Sequence, residues 1–209
     1  MSTTIILQPH GVNSIDTDII SSNPNTNYGS GTLMAMGESN AAEQIARILI
    51  KFAGLTDGSV PKNRNVLSAI LSLYLASDAS SNARTYSFFR LKREWTVSQA
   101  TWNIRKTGES WAVAGVYSAF NDTDYERADP IATKSLTASE ADGFKGWTLD
   151  TDKIFDIING RFANNGFFGM CDGENNDQYI FRSGNHATSS SHPKLTLVLE
   201  DAPGGVMIL

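Results

Sequence analysis

The chain has 209 residues, of which 41% are hydrophobic, so it is long and apolar enough to bury a substantial core. Charged residues make up only 19% of the chain, a proportion that argues against a disordered protein. The 22 acidic residues outnumber the 17 basic ones and give a net charge of −5. This balance argues against nucleic acid and against an anionic membrane surface as partners.

Residues 1–14 contain no Lys or Arg and a single short apolar run, Ile5-Ile6-Leu7, so no signal peptide is predicted. No stretch approaches the roughly 18 apolar residues of a membrane span, and we expect no membrane insertion. The sole cysteine, Cys171, excludes a disulfide framework within the chain.

Short runs of alternating or continuous apolar residues, separated by Gly, Asn, Ser and Asp, are typical of β-strands. In chain order, the predicted strands are 47–52, 68–75, 86–91, 111–114, 166–170, 178–182 and 194–199. One short helix is predicted from Asp150 to Asn159, because acids occupy its first turn, apolar residues recur at helical spacing and Asn159-Gly160 is a stop signal. Several short strands with one helix predict an all-β sandwich or barrel.

We expect three parts along the chain: an N-terminal extension, 1–14, a single β domain, 15–200, and a C-terminal tail, 201–209. The tail ends in the four apolar residues Val206, Met207, Ile208 and Leu209. Because exposed apolar runs are unusual, the tail either folds onto its own domain or docks into a neighbouring subunit during assembly.

A series of short motifs occurs, once each, in order along the chain. They are Asp16-Thr17-Asp18, Asn27-Tyr28-Gly29, Arg93-Glu94-Trp95, Ala100-Thr101-Trp102-Asn103, Trp111, Trp147, Phe181-Arg182-Ser183 and Pro193-Lys194-Leu195. Over residues 15–199 this series resembles the DNRLRE-type jelly-roll domains, whose relatives include alginate-binding carbohydrate modules. The resemblance implies a jelly-roll β-sandwich that binds and does not catalyse.

The chain departs from those domains because it shows no signal peptide and no attached catalytic domain. It is therefore similar to a structural protein of a bacteriophage virion, such as a capsid decoration protein or a fibre module. We expect it to be made in the host cytoplasm, to lie on the virion surface and to contact copies of itself or capsid proteins. The alternative is an extracellular carbohydrate-binding module that recognises acidic polysaccharide.

Two groups of acids carry the oxygen ligands that Ca²⁺ prefers: Asp122, Asp124 and Glu126 at alternate positions, and Asp16 with Asp18. The alternative for the first group is a solvated acidic loop without metal. The three histidines form no pair at metal-ligand spacing, so we predict no zinc site and no organic cofactor. The chain has no Gly-x-Ser-x-Gly elbow, and we do not expect an enzyme.

Aromatic and arginine residues in the middle of the chain form the predicted binding surface. Flat rings stack on sugars, and guanidinium groups pair with uronate carboxylates. Protein interfaces enrich the same residue types, and ordinary packing is a further interpretation. The candidate residues are Trp111, Tyr117, Tyr125, Arg93, Arg105 and Arg127. We expect the other tryptophans, Trp95, Trp102 and Trp147, to lie in the core.

Overall fold

A computed structural model of the chain describes residues 1–39, 44–78, 82–118, 120, 122–174 and 177–201. The described residues form thirteen strands and one α-helix. The strands are β1 Ser2–Leu7, β2 Ile15–Ile20, β3 Leu33–Ser39, β4 Gln44–Lys51, β5 Val66–Asp78, β6 Arg84–Arg90, β7 Ile104–Lys106, β8 Glu109–Ser110, β9 Ala132–Leu136, β10 Gly143–Thr148, β11 Phe167–Cys171, β12 Tyr179–Arg182 and β13 Lys194–Glu200. The helix, α1, is Thr151–Ile158.

Two antiparallel layers build the domain. Layer 1 contains β1, β13, β5, β10 and β12, and layer 2 contains β2, β4, β11, β6 and β9. Strand β3 joins them, since Leu33–Met36 pairs with β12 and Gly37–Ser39 pairs with β4. The backbone changes layer at Gly37, which has φ 109°, and a Cβ there would lie 2.0 Å from the carbonyl oxygen of Asp177. The result is the predicted all-β sandwich of jelly-roll-like architecture.

The core lies between the layers and follows the two-residue period of the strands. On β5, Leu71, Leu73 and Leu75 are fully buried, while Ile70 and Tyr74 point to the opposite, outer face of layer 1. Trp147 of β10 is also fully buried, and its indole N–H donates to the carbonyl oxygen of Tyr86, 2.9 Å away. The prediction that Trp147 belongs to the core is thus confirmed.

Helix α1 forms where the sequence predicts it. The Asp150 carboxylate accepts hydrogen bonds from the backbone N–H groups of Asp152 and Lys153, and the left-handed Gly160 (φ 75°) follows the last turn. The helix buries one apolar face and packs against β5. No helix in the described part of the chain has the length and apolar character needed to cross a membrane.

The predicted strand 111–114 is wrong. These residues form bends and a turn, because the Asp124 carboxylate binds the backbone N–H groups of Ala112, at 2.7 Å, and Val113, at 3.4 Å.

The predicted extension, 1–14, contains β1, which pairs along its full length with β13. At the end of this ladder, the N–H of Asp201 donates to the carbonyl oxygen of Met1. Residues 202–209, including the tail Val206–Leu209, lie outside the described residues.

A second apolar cluster lies on the outer face of layer 2. Leu49, Phe89 and Phe168 point away from the main core and are covered by the segment that follows β6. We call the described residues within 91–131 the cover segment. Its contribution to the cluster comes from Leu91, Trp95, Ala100, Trp111, Val116 and Tyr125.

Candidate functional site

The rings predicted to form an exposed platform lie mainly inside the cover segment. Trp111 is 4% exposed and Tyr125 is fully buried. The indole N–H of Trp111 donates to the carbonyl oxygen of Thr101, and burial raises the pKa of Tyr125 to about 12. Only Tyr117, at 37% exposure, reaches the surface. The prediction that the three rings form an exposed binding surface is therefore wrong for Trp111 and Tyr125, which pack against the apolar outer face of layer 2.

The three predicted arginines do not converge on one site either. Arg93 lies 3.7 Å from the buried carboxylate of Asp124. Arg105 forms an ion pair with Glu109 and donates to a backbone carbonyl oxygen within the cover segment. Arg127 is exposed. Two of these cations therefore stabilise the cover segment from within.

The acids at alternate positions bind separate partners. Asp122 pairs with Lys92 at 2.8 Å, Glu126 pairs with Arg90 and Lys153, and Asp124 binds the backbone of the cover segment. In the described parts of the chain, no group of three potential metal ligands converges on one point. The geometry thus gives no support to the predicted Ca²⁺ ligands Asp122, Asp124 and Glu126.

Asp16 and Asp18 have a structural position on β2. The Asp16 carboxylate accepts from the N–H of Gly184 at 2.8 Å, and the Asp18 carboxylate accepts from the N–H of Ala35 at 2.9 Å. Burial raises the pKa of both carboxyls, that of Asp18 to about 6. These acids tie β2 to β3 and to the loop after β12.

Arg47 of β4 fastens the cover segment and was not singled out in the sequence. Its guanidinium lies 4.8 Å from the ring centre of Trp102 and 5.3 Å from that of Tyr117. It donates two 2.7 Å hydrogen bonds to Glu174 and one of 2.6 Å to the carbonyl oxygen of Gly115. No spacing rule links positions so far apart in the chain, so only the fold reveals this contact.

The outer face of layer 1 carries no comparable cover among the described residues. The strand registers place Ile6 beside Thr196, Thr196 beside Ile70 and Ile70 beside Thr148. Ile6 is 59% exposed, and Ile70 is also exposed. A row of apolar and hydroxyl side chains therefore crosses β1, β13, β5 and β10 at the surface.

Two rings and two cations meet on the same face. The rings of Tyr74 and Phe144 pack edge to face with centres 5.3 Å apart. The Arg182 guanidinium lies 4.4 Å from the ring centre of Tyr74, and the Lys194 ammonium lies 4.0 Å from that of Phe144. We call these four residues the ring–cation cluster. Each ring holds a cation in place by a cation–π contact.

The two cations of this cluster differ from most others in the described parts of the chain, because neither forms an ion pair there. Arg182 donates to the hydroxyl of Ser191 at 3.1 Å, and its Nε is buried without a hydrogen-bond partner. Basic side chains that do pair with acids are Arg47, Arg84, Arg90, Lys92, Arg93, Arg105, Lys106, Lys145, Lys153 and Arg161. The ring–cation cluster can therefore accept an anionic group from outside.

The sequence alone predicts that one member of the ring–cation cluster, Tyr74, lies on the outer face of layer 1. The alternation along β5 places Tyr74 opposite the leucines of the core. The other members come from β10, β12 and β13, and only the strand registers bring them together.

The family model of the Disaggregatase related repeat domain matches residues 16–197, which include β3 to β12 and most of β2 and β13. The chain belongs to this family. No curated protein matches the chain.

Proposed function

We propose that this domain binds acidic polysaccharide on the outer face of layer 1 and catalyses no reaction. The observation that carries the proposal is the ring–cation cluster, with two cations that have no acid partner among the described residues. In a chain with a net charge of −5, such a pair is a local exception and attracts negative charge.

The chemistry of the surface matches that of a uronate-containing chain. Carboxylates on successive sugars pair with Arg182 and Lys194, which the rings of Tyr74 and Phe144 hold in position. Sugar hydroxyls find partners in nearby hydroxyl side chains such as Thr148, which is exposed. A role in binding also suits a repeat domain, because several linked copies multiply a weak affinity. The resemblance to DNRLRE-type domains, with their alginate-binding relatives, points the same way.

Replacing the unpaired cations tests this proposal. Lys194→Gln and Arg182→Gln should each weaken binding to a polyuronate by about tenfold, since each removes one charge-assisted contact. Calorimetry with polyuronate and with a neutral glucan measures the effect. Lys62→Gln is the matched control, because Lys62 is exposed and the substitution changes the net charge equally. Equal affinity in all variants, or no binding to polyuronate, would contradict the proposal.

A second role, in a virion, is favoured by a different observation. Ile6, Leu67 and Ile70 are exposed in the same layer, at 59%, 55% and 36%, and suit a contact between subunits. The domain would then be a virion structural protein, either a capsid decoration protein or a fibre module. Quantitative mass spectrometry of particles purified from the lysate that contains this protein should find it at a fixed copy number. Its absence from the particles would exclude the role.

A further inference from the structure

Through β3, layers 1 and 2 form one continuous sheet. Four strands of this sheet pair with only one other strand among the described residues. They are β1, β2, β9 and β10, which pair with β13, β4, β6 and β5, respectively. Each leaves one edge of backbone N–H and C=O groups without a strand beside it. Such edges attract further strands, and proteins protect most of them.

Three of these four strands carry the usual protection. Lys134 stands in the middle of β9, and β10 contains Lys145 with two glycines. Asp16 and Asp18 are buried charges on β2. Charges and glycines of this kind discourage the addition of another strand.

Strand β1 lacks such protection. Its sequence, Ser2-Thr3-Thr4-Ile5-Ile6-Leu7, contains no charge, proline or glycine, and four of its six residues are β-branched. Its pairing with β13 runs without a register shift, so no bulge turns the edge away. Ile6 is 59% exposed beside this edge.

A second copy of this chain fits the edge better than an unrelated strand. An antiparallel pair of identical strands about a two-fold axis is self-complementary, because each residue meets its equivalent contact on the other copy. The neutral strand also lets two chains, each with a net charge of −5, approach without placing like charges opposite each other. A foreign strand would have to supply this match by chance.

We infer that β1 pairs antiparallel with β1 of a second copy, with Thr4 opposite Thr4 at the two-fold axis, and joins layer 1 of each copy into one sheet. The inference names the partner for the structural role proposed above and rests on that role. A two-fold axis normal to the sheet keeps the outer face of layer 1 on the same side in both copies. The two outer faces therefore form one surface. The two Tyr74 residues are then five strand spacings apart across the strands, about 24 Å, and they are also offset along the strands because the axis reverses the strand direction. One anionic polymer can reach both ring–cation clusters.

A charge placed on β1 tests the pairing. The unchanged protein should be a dimer in sedimentation and light-scattering measurements, and Thr4→Lys and Thr4→Glu should each raise its dissociation constant by about five- to tenfold. Thr4 is exposed, so the fold tolerates both. An equimolar mixture of the two variants should recover the dimer as a heterodimer, because opposite charges then face each other.

The control is Thr148→Lys on β10, an exposed position on the same face but at the other edge. This variant should remain as dimeric as the unchanged protein. A monomer at every concentration, larger irregular aggregates, or a dimer indifferent to both Thr4 substitutions would overturn the inference. If the unchanged protein is a monomer and still associates with virions, the structural role stands and the β1 pairing fails.

Discussion

Two carboxyls on β2 lie almost wholly out of water, and each accepts a hydrogen bond from a backbone N–H group. Asp16 is 2% exposed and Asp18 is 5% exposed. Burial disfavours the charged form of a carboxyl, and the hydrogen bond from the N–H of Ala35 offsets only part of this cost for Asp18. We therefore expect the stability of the fold to depend on pH through these two carboxyls.

Asp18 should make the protein less stable as the pH rises. Its pKa is about 6 in the folded protein and 3.8 ordinarily, so the folded state binds more protons between these values. The free energy of unfolding should therefore fall between about pH 4 and about pH 6, by up to about 3 kcal/mol from this group alone. Urea unfolding across this range measures the change.

Asp18→Asn should remove that part of the pH dependence, since an amide oxygen still accepts from the N–H of Ala35 and carries no charge. Asp142→Asn is the control, because Asp142 is exposed. Parallel stability–pH curves for the unchanged protein and Asp18→Asn would show that the buried carboxyl is not the cause.

Among the elements, the cover segment depends on contacts that reach beyond its own residues. Only one short hairpin, β7–β8, gives it regular structure, yet it shields the apolar outer face of layer 2. Arg47 connects it to β4 through Trp102, Tyr117 and the carbonyl oxygen of Gly115. The segment is therefore attached by side chains more than by backbone pairing.

Arg47→Met should lower the free energy of unfolding by about 3 kcal/mol, because it leaves Glu174 and the carbonyl oxygen of Gly115 without their buried partner. Arg161→Met is the matched control: the Arg161 side chain is 66% exposed in its pair with Asp156, and its loss should cost less than about 1 kcal/mol. Chemical denaturation compares the two. A cost for Arg47→Met no larger than for the control would refute the proposed attachment.

Local signals account for the elements that the sequence predicts well. Helix α1 begins and ends within a residue of the prediction, because Asp150 caps it and Asn159-Gly160 stops it. The strand predicted at 111–114 fails because Asp124, ten residues or more away, captures its backbone. Strand β1 lies in the predicted extension because its residues show little alternation, and pairing with β13 decides its conformation.

At the scale of the whole molecule, the two-layer architecture could be predicted, but the candidate site could not. Tyr74 and Lys194 are 120 positions apart in the chain, and their meeting depends on the registers of β5, β10 and β13. Trp111 and Tyr125 are of the residue types that are common in binding surfaces, yet they are buried against the apolar outer face of layer 2. Composition thus identifies useful residue types, while long-range pairing decides which of them reach solvent.

The contact between Asp201 and Met1 also leads to an expectation for how the domain responds to mechanical load. Because residues 1 and 201 lie side by side at one end of the β1–β13 ladder, a force pulling them apart acts across the strands. The hydrogen bonds of the ladder would then break one after another, at low force. In a protein with several such repeats linked near residues 1 and 201, the force would act on the β1–β13 ladder of each copy. This ladder would open before the two layers of the sandwich slide past each other.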